Sequence, residues 1–290
     1  MDSKAHVGKL RVIYIMGTGR SGSTILDMAL GSTPGSVSTG ELVSLEMVMN
    51  ETNEPDERSA KEFCSCESPV RSCTLWSTVW QEFSKKCSVE EYRRSHFLYE
   101  RGWSPPFAFI GRFLRLKSFT RHVEMTNHLL SSISTATGSK TIIDSSKLTS
   151  RAVVYVELQR YGVEVLFINI VRDLDGYIES WRRKRDPGNL QAISPKYTFT
   201  RQVWDTLNWI CATALSTVVG RVLRAPYTLV RFKELMSRPT GVISRLSGFA
   251  SLDASDVCQK IAKGNALSPG HVIAGNRAKF SPIIKIMETS

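Results

Sequence analysis

The chain has no run of apolar residues long enough to cross a membrane, which takes about 18 residues or more. Its first residues, MDSKAHVGK, also lack the apolar segment of a secretory leader. Cysteine is sparse, with six in 290 residues, which argues against a fold built on disulfides. We therefore expect a cytoplasmic protein without a membrane span.

The composition that remains is that of a globular protein with a basic surface. Hydrophobic residues make up 42% of the chain, and its length accommodates one large α/β domain or two small ones. The net charge of +11 favours nucleotides, nucleic acid, acidic glycans or membrane surfaces as partners. Nucleic-acid binding would need basic residues interleaved with exposed aromatics, and the aromatic residues stand mostly at core-like positions. We therefore expect no nucleic-acid partner.

A strand, a glycine-rich turn and a helix are predicted from Leu10 to Gly31, in the stretch LRVIYIMGTGRSGSTILDMALG. Val12 to Met16 are apolar and mostly β-branched, and apolar residues recur at helical spacing from Ile25 to Leu30. In such a unit the N–H groups of the turn and the positive end of the helix dipole converge on one point, which suits a phosphate or sulfate. We expect these residues to bind the anionic group of a nucleotide: Gly19, Arg20, Ser21, Gly22, Ser23 and Thr24.

The turn lacks the lysine of nucleoside triphosphatases. It matches the template G-x-x-x-x-G-K-[ST] at Gly17, Gly22 and Thr24, but Ser23 occupies the lysine position. Arg20 supplies a cation within the loop instead, and its guanidinium can hold an oxyanion through two parallel hydrogen bonds. Because the missing lysine normally reaches the β and γ phosphates, its loss argues against ordinary ATP or GTP chemistry. A glycine- and serine-rich turn that binds nothing is the alternative.

Strands and helices alternate along the chain, which predicts a doubly wound α/β fold with a central parallel sheet. Further strands are predicted at 36–39, 141–144, 163–171 and 226–232, and helices at 42–49, 148–161, 174–185, 197–224 with a break near 213–220, and 233–249. Such sheets bind ligands at the carboxyl ends of their strands. Arg20, Lys147 and Arg172 each follow a predicted strand, so we expect them to face one crevice.

The segment 75–137 is helical in tendency and interrupts the alternation. We expect it to cap the sheet and, with residues 186–224, to shape a pocket for a second substrate. Five aromatic residues in these segments could form an apolar wall or pack in the core: Trp103, Phe107, Phe109, Tyr197 and Trp204.

Two motifs together resemble those of the sulfotransferases that use 3′-phosphoadenosine 5′-phosphosulfate (PAPS). The turn GTGRSGST is similar to the arginine-bearing 5′-phosphosulfate loop of bacterial and Golgi-type members. The stretch VRDLDGYIESW is similar to the 3′-phosphate motif, with Arg172 and Ser180 eight residues apart. Shorter blocks also resemble parts of the family: GE at Gly40–Glu41, DSSK at Asp144–Lys147, HVIAGNRAKF near the end, and the cysteine block CSCESPVRSCTLW. The segment 75–137 resembles nothing that assigns it a role.

The resemblance implies a single domain over residues 1–290, with a fold like that of P-loop nucleoside triphosphate hydrolases, helical insertions, and nucleotide-binding elements at about 10–31 and 163–185. It implies transfer of a sulfuryl group from PAPS to a hydroxyl or amine of a small-molecule or glycan acceptor, with adenosine 3′,5′-bisphosphate as product and no metal required. Loop residues and Arg20 would hold the 5′-phosphosulfate, and Arg172 and Ser180 the 3′-phosphate. Arg20 and Lys147 would neutralise charge on the leaving group, and Glu41 would be the base.

The sequence departs from the family at two points. The better-known cytosolic members have a loop lysine and a later histidine base, where this chain has Arg20 and, by position, Glu41. The tail reads GNRAKF where related chains usually carry a proline after the asparagine and an arginine before the phenylalanine, which weakens the expectation that Lys279 contacts nucleotide.

Other interpretations stay open at this stage. An atypical P-loop kinase or Mg-ATP-binding protein would use Asp144 as a metal-binding carboxylate, and a non-catalytic anion-binding protein would use the net charge. Glu41 could simply complement a helix dipole, and Lys147 and Ser180 could face solvent. Arg172 could pair with Asp173 or Asp175.

Three cysteines cluster as Cys64, Cys66 and Cys73. A zinc site would need a fourth ligand, which Cys87 or a histidine could supply, although the spacing differs from common zinc folds. A local disulfide and packed free thiols are the alternatives. We expect a structural role for His271. The sequence does not indicate an oligomeric state.

Overall fold

A computed structural model describes residues 9–51, 61–184, 198–268, 270–281 and 283–284. Its five strands form one sheet in the order β2-β3-β1-β4-β5, and every neighbouring pair is parallel. The strands are β1 Arg11–Gly17, β2 Ser36–Ser38, β3 Thr141–Lys147, β4 Glu164–Val171 and β5 Tyr227–Arg231. The prediction of a doubly wound α/β fold with a central parallel sheet is confirmed.

Twelve α-helices flank the sheet in the described part of the chain. They are α1 Ser23–Gly31, α2 Leu45–Met49, α3 Thr74–Lys86, α4 Val89–Tyr99, α5 Pro105–Phe113, α6 Lys117–Thr137, α7 Thr149–Glu157, α8 Leu174–Lys184, α9 Phe199–Val222, α10 Phe232–Ser237, α11 Pro239–Ala250 and α12 Ser255–Ala262. Short 3-10 turns occupy Leu42–Ser44, Val70–Ser72, Leu158–Tyr161 and Arg277–Phe280.

Two helix predictions were wrong in detail. The predicted break near 213–220 is absent, because the Thr217 hydroxyl donates to the Thr213 carbonyl inside a continuous α9 and Gly220 fits against the ring of Tyr227. The predicted helix 233–249 is two helices, because Pro239 cannot donate an N–H and Arg238 before it leaves the helical conformation.

The two faces of the sheet carry separate hydrophobic cores, as a strand buried on both sides requires. Val12, Tyr14 and Met16 of β1 point to one face and pack with residues of α2–α7 and α9. Ile13 and Ile15 point to the other face and pack with α1 and α10–α12. This alternation along one strand places the turn after β1 between the two helical layers.

The helices α3 to α6, which correspond to the predicted segment 75–137, cover the first face of the sheet, where α3 packs on α6 and α5 on α7. They are joined to β3 by a buried ionic cluster that the sequence did not indicate. Arg151 of α7 donates to Asp144 of β3 at 2.6 Å and also to Glu100, and His122 lies 2.8 Å from Glu100. Burial raises the pKa of Glu100, but Arg151 and His122 outweigh it and hold this pKa well below its usual range.

The last described segment returns to the carboxyl end of the sheet. Gly40 pairs with Ile273 in a parallel bridge, and the N–H of Glu41 donates to the Ile273 carbonyl at 3.1 Å. No helix in the described ranges has the length and apolar character needed to pass through a bilayer.

Candidate functional site

The turn between β1 and α1 depends on glycine at two positions. At Gly17 (φ +137°), a Cβ would lie 2.2 Å from the carbonyl oxygen of Ile170 on β4. At Gly22 (φ +89°), which precedes α1, a Cβ would lie 2.6 Å from the ring of Phe232. Glycine therefore lets the turn lie directly on β4 and α10. The free N–H groups at the start of α1 are left at the carboxyl end of the sheet, where they form an anion-binding geometry.

Arg20 links this turn to helix α8. Its backbone is left-handed, with φ +64°, which is uncommon for a side chain other than glycine. Its Nη1 lies 3.4 Å from the Ser180 hydroxyl, and its guanidinium lies 5.3 Å from the centre of the Trp181 ring. Burial lowers the pKa of Arg20 from its usual value. An arginine nevertheless stays charged near neutral pH, so the loop keeps a half-buried cation.

Arg172 approaches the same turn from the end of β4. Its Nη1 donates to the Arg20 carbonyl at 3.1 Å, and its guanidinium lies 4.3 Å from the centre of the Phe232 ring. The indole N–H of Trp209 on α9 donates to the Arg172 carbonyl at 2.9 Å. The structure thus brings Arg20, Arg172 and Ser180 together, although 152 and 160 residues of chain separate Arg20 from the other two.

Lys147, Glu41 and Ser23 form a second group at the start of α1. Lys147 ends β3 rather than following it, also with a left-handed backbone (φ +71°). Its Nζ lies 2.5 Å from the Glu41 carboxylate, 3.0 Å from the Ser145 carbonyl and 3.4 Å from the Ser23 hydroxyl. The Lys147 and Glu41 side chains are only 14% and 22% exposed. The pair is therefore a partly buried ion pair whose cation reaches the turn.

The tail and α1 complete the surroundings of this pair. Gly275 lies against Thr24, and a Cβ there would be 3.2 Å from the Thr24 hydroxyl. Asp27, one turn after Ser23 on α1, is fully buried and accepts from the Ser145 hydroxyl at 3.2 Å. Burial raises the pKa of Asp27 to about 8. Asp27 was not among the predicted site residues, although a carboxylate among the apolar residues of an amphipathic helix is a signal that the sequence contains.

Asp144 accepts hydrogen bonds from side chains and from a backbone N–H. Its carboxylate accepts from Arg151, from the Tyr155 hydroxyl at 2.5 Å and from the Ser146 N–H at 2.8 Å. Magnesium sites use carboxylates that remain open to the ion and its water. The position of Asp144 therefore does not favour the magnesium role that the kinase alternative gives it.

Several aromatic residues also bear on the site or on the predicted pocket. Trp181, Trp209 and Phe232 contact Arg20 or Arg172, and none of them was among the predicted site residues. Of the predicted apolar wall, Trp103, Phe107 and Trp204 are 49%, 44% and 66% exposed, Phe109 packs against the core, and Tyr197 lies outside the described residues. Core packing, one of the two alternatives for these residues, is therefore wrong for Trp103, Phe107 and Trp204, and the apolar wall stays a prediction.

The structure also shows where Lys279 lies. Lys279 is buried, and its Nζ donates to the Phe63 carbonyl at 2.5 Å. A cavity of about 490 Å³ lies at the amino ends of β2 and β3, lined by Ser36, Ser139 and His271 among others, and so is separate from the turn after β1.

No protein-family model matches the chain, and no curated protein matches it. Among solved structures, the sulfotransferase domain of the olefin synthase of Synechococcus PCC 7002 is 15% identical, with 89% of this chain and 78% of that chain covered and a TM-score of 0.45. Sulfotransferase STF1 from Mycobacterium tuberculosis H37Rv is 13% identical, with 95% and 74% covered and a TM-score of 0.48. The sulfotransferase domain from the curacin biosynthetic pathway is 13% identical, with 96% and 84% covered and a TM-score of 0.49.

Proposed function

We propose that this chain is a PAPS-dependent sulfotransferase. The observation that supports this most directly is the meeting of the two motifs. Arg172 donates to the carbonyl of Arg20, and Arg20 in turn lies within 3.4 Å of Ser180. A donor with an anionic group on both its 5′ and 3′ oxygens needs two cationic sites close together, and this arrangement offers them at one helix N-terminus.

The residues divide into two binding groups in this proposal. The turn from Gly19 to Thr24 and the start of α1 bind the 5′-phosphosulfate through N–H groups and the Arg20 guanidinium. Arg172 and Ser180 bind the 3′-phosphate, which distinguishes the donor from ATP. The left-handed backbone of Arg20 and of Lys147 supports a functional role, because such strain is retained where the surrounding structure has a use for it.

The reaction that follows is an in-line displacement at sulfur. The acceptor oxygen or nitrogen forms a bond to sulfur while the bond from sulfur to the bridging oxygen of the donor breaks, and that oxygen leaves with the electron pair as part of adenosine 3′,5′-bisphosphate. Arg20 and Lys147 stabilise the charge on the leaving oxygen. Glu41 takes the acceptor proton, and its contact with Lys147 places base and cation 2.5 Å apart at Ser23.

The proposal extends to the whole chain and to its acceptor. Residues 1–290 act as one sulfotransferase domain, and the acceptor is a small molecule or a glycan that presents a hydroxyl or amine. The exposed Trp103, Phe107 and Trp204 are available for an apolar or ring-bearing part of such an acceptor.

Calorimetric titration with adenosine 3′,5′-bisphosphate, AMP and ATP, each with and without Mg²⁺, tests the donor site. We expect the bisphosphate to bind independently of Mg²⁺ and at least about tenfold more tightly than AMP, because a charge-assisted contact contributes about 1.5–3 kcal/mol. Arg172→Ala should abolish this preference, and Arg94→Ala on the exposed face of α4 should keep it.

The same titration separates the alternatives. A preference for Mg-ATP would contradict the proposal and favour an atypical kinase, for which Arg172 and Ser180 would be indifferent to a 3′-phosphate. Equal affinity for the bisphosphate and AMP would also contradict it, since the 3′-phosphate site would then not exist.

A further inference from the structure

Three thiols and one imidazole that the proposed transfer step does not use converge at one point. Nδ1 of His271 lies 3.1 Å from the Cys73 sulfur and 3.6 Å from the Cys64 sulfur. The Cys66 and Cys73 sulfurs are 3.7 Å apart. All four candidate ligand atoms lie within 4.8 Å of one another.

These separations are close to the edges of a zinc tetrahedron. With Zn–S bonds of about 2.3 Å and Zn–N bonds of about 2.0 to 2.1 Å, a tetrahedral site has S–S edges of about 3.8 Å and S–N edges of about 3.6 Å. The observed 3.7 Å and 3.6 Å agree with these edges, and the 3.1 Å contact is shorter by about 0.5 Å. Three sulfurs and one imidazole nitrogen are also the ligand set of a closed structural zinc site, with no position left for water or substrate.

The ligands come from segments that the backbone already holds together. The Cys64–Cys66 turn pairs with the tail, because the Ser65 N–H donates to the Val272 carbonyl at 2.9 Å and the Val272 N–H donates to the Ser65 hydroxyl at 2.9 Å. The Trp76 indole donates to the His271 carbonyl at 2.9 Å, and Cys73 immediately precedes α3. The four ligand atoms are therefore placed by contacts that do not depend on a metal.

The charge around the cluster also suits a zinc–thiolate site. A Zn²⁺ ion with three thiolates and a neutral imidazole carries a net charge of −1, which is costly to bury without a partner. Lys279 is buried beside the cluster, and burial lowers its pKa to about 8, while Cys64, Glu41 and Cys66 favour its charged form. That arrangement gives this lysine a structural role in place of the nucleotide contact that the sequence resemblance suggested.

We propose that Cys64, Cys66, Cys73 and His271 bind one structural Zn²⁺ ion. Of the two candidates for a fourth ligand, His271 rather than Cys87 takes the position. The ion would join the cysteine turn and α3 to the tail, whose Ile273 carbonyl accepts the Glu41 N–H at 3.1 Å. The site thus fastens the segment that holds Glu41, and it takes no part in the transfer step. This inference does not depend on the proposed function.

Metal analysis of the purified full chain tests the site. Inductively coupled plasma mass spectrometry should find about one zinc per chain. Replacing zinc by Co²⁺ should give the visible d–d bands of a tetrahedral cobalt ion and a thiolate-to-cobalt charge-transfer band. His271→Ala and Cys66→Ser should lose the metal, while Cys211→Ser, which removes an exposed thiol outside the cluster, should keep it. A chelator should lower the Tm of the wild type and of Cys211→Ser by several degrees and leave that of Cys66→Ser unchanged.

Two results would overturn the proposal. One is wild-type protein that contains no metal and shows no thiolate-to-cobalt band when Co²⁺ is added to the reduced chain. The other is a Cys66–Cys73 disulfide, found by peptide mass spectrometry after lysis in a thiol-blocking reagent. Because a cluster variant can fail to fold, the cobalt titration of the wild type decides the question without any substitution.

Discussion

At the scale of single residues, Lys147 and Glu41 have different proposed roles: Lys147 contacts the donor-binding turn, and Glu41 takes the proton of the acceptor. Lys147 contacts Ser23 of the turn, whereas the Glu41 carboxylate contacts Lys147 and lies beside the tail at Gly275. A base that does not itself hold the donor should affect turnover more than donor affinity. Substitution of Glu41 therefore tests its role more sharply than substitution of Lys147.

We expect Glu41→Gln to reduce turnover by about 100-fold or more, the usual contribution of a positioned general base. Its affinity for adenosine 3′,5′-bisphosphate should stay within about threefold of the wild type, since the amide can keep a hydrogen bond to Lys147. Turnover is measured as bisphosphate released from PAPS with a panel of hydroxyl and amine acceptors, and affinity by calorimetry. Glu90→Gln on exposed α4 is the control. An equal loss of affinity and turnover would mean that Glu41 only shapes the turn.

Asp27 should make stability depend on pH. Its folded pKa of about 8 lies above the ~3.9 of an exposed aspartate, so folding takes up a proton between these values and stability falls as pH rises through that window. An asparagine side chain in its place has no such proton to lose. Raising the pH from about 5 to about 7 should therefore stabilise Asp27→Asn by about 2 kcal/mol relative to the wild type.

Urea denaturation of both proteins at the two pH values measures this difference. Asp256→Asn on the exposed start of α12 should show no comparable change. A constant difference between Asp27→Asn and the wild type would show that Asp27 is already ionised in the folded protein.

At the scale of elements, the turn before α1 should be intolerant of side chains at Gly22. Alanine there would have both an unfavourable φ and a Cβ only 2.6 Å from the Phe232 ring. Gly35 also has positive φ, at +70°, but a Cβ there would meet nothing within 4 Å. We expect Gly35→Ala to lose about 1 kcal/mol of unfolding free energy and Gly22→Ala to lose about 1–3 kcal/mol more.

Chemical denaturation measures both losses of stability. Calorimetric titration with adenosine 3′,5′-bisphosphate measures whether the turn still binds the anionic group. Gly35→Ala should bind as the wild type does, whereas Gly22→Ala should bind at least about tenfold more weakly because α1 and its N–H groups shift. Equal stability losses in the two variants would show that Phe232 moves aside, and the turn would then not be fixed by α10.

Much of the fold could be predicted because its signals are local. The apolar runs of β1 and β4 and the glycines of the turn lie within short stretches, so period and composition indicated them. The break expected in α9 was wrong because residues such as Thr217 and Gly220, which often interrupt helices, are accommodated here by a backbone carbonyl and by the Tyr227 ring. Those partners are tertiary and cannot be read from a local window.

The residues that carry the site's charges could be predicted from the sequence, but the residues that contact them could not. Parallel strands end at one edge, which is why Arg20, Lys147 and Arg172 could be expected near one another. Trp209 and Phe232 lie on helices far along the chain and carried no motif. The same limit hid the fourth member of the cysteine cluster, because His271 is 198 residues from Cys73.

At the scale of the whole molecule, the two helical layers are attached to the sheet by different means. The layer of α1 and α10–α12 packs on Ile13 and Ile15 mainly through apolar residues. The layer of α4–α7 adds the ionic cluster of Arg151, Glu100 and Asp144, all fully buried. Arg151 is the guanidinium shared by two buried carboxylates, so removing it leaves Glu100 with His122 and leaves Asp144 with only neutral donors.

We expect Arg151→Met to lose about 3–5 kcal/mol of unfolding free energy near pH 7.5, the usual cost of breaking a buried ion pair from one side. The loss should shrink near pH 5. Without the guanidinium, burial raises the pKa of Glu100, so the folded variant takes up a proton that the unfolded chain does not, and its stability rises as pH falls. In the wild type the Glu100 pKa lies below its unfolded value, so that residue adds no such gain.

Urea denaturation at both pH values measures the difference, with the exposed Arg94→Met as control. A loss of the same size at both pH values would show that the carboxylates find other cations, and the cluster would then not be what joins α4–α7 to β3.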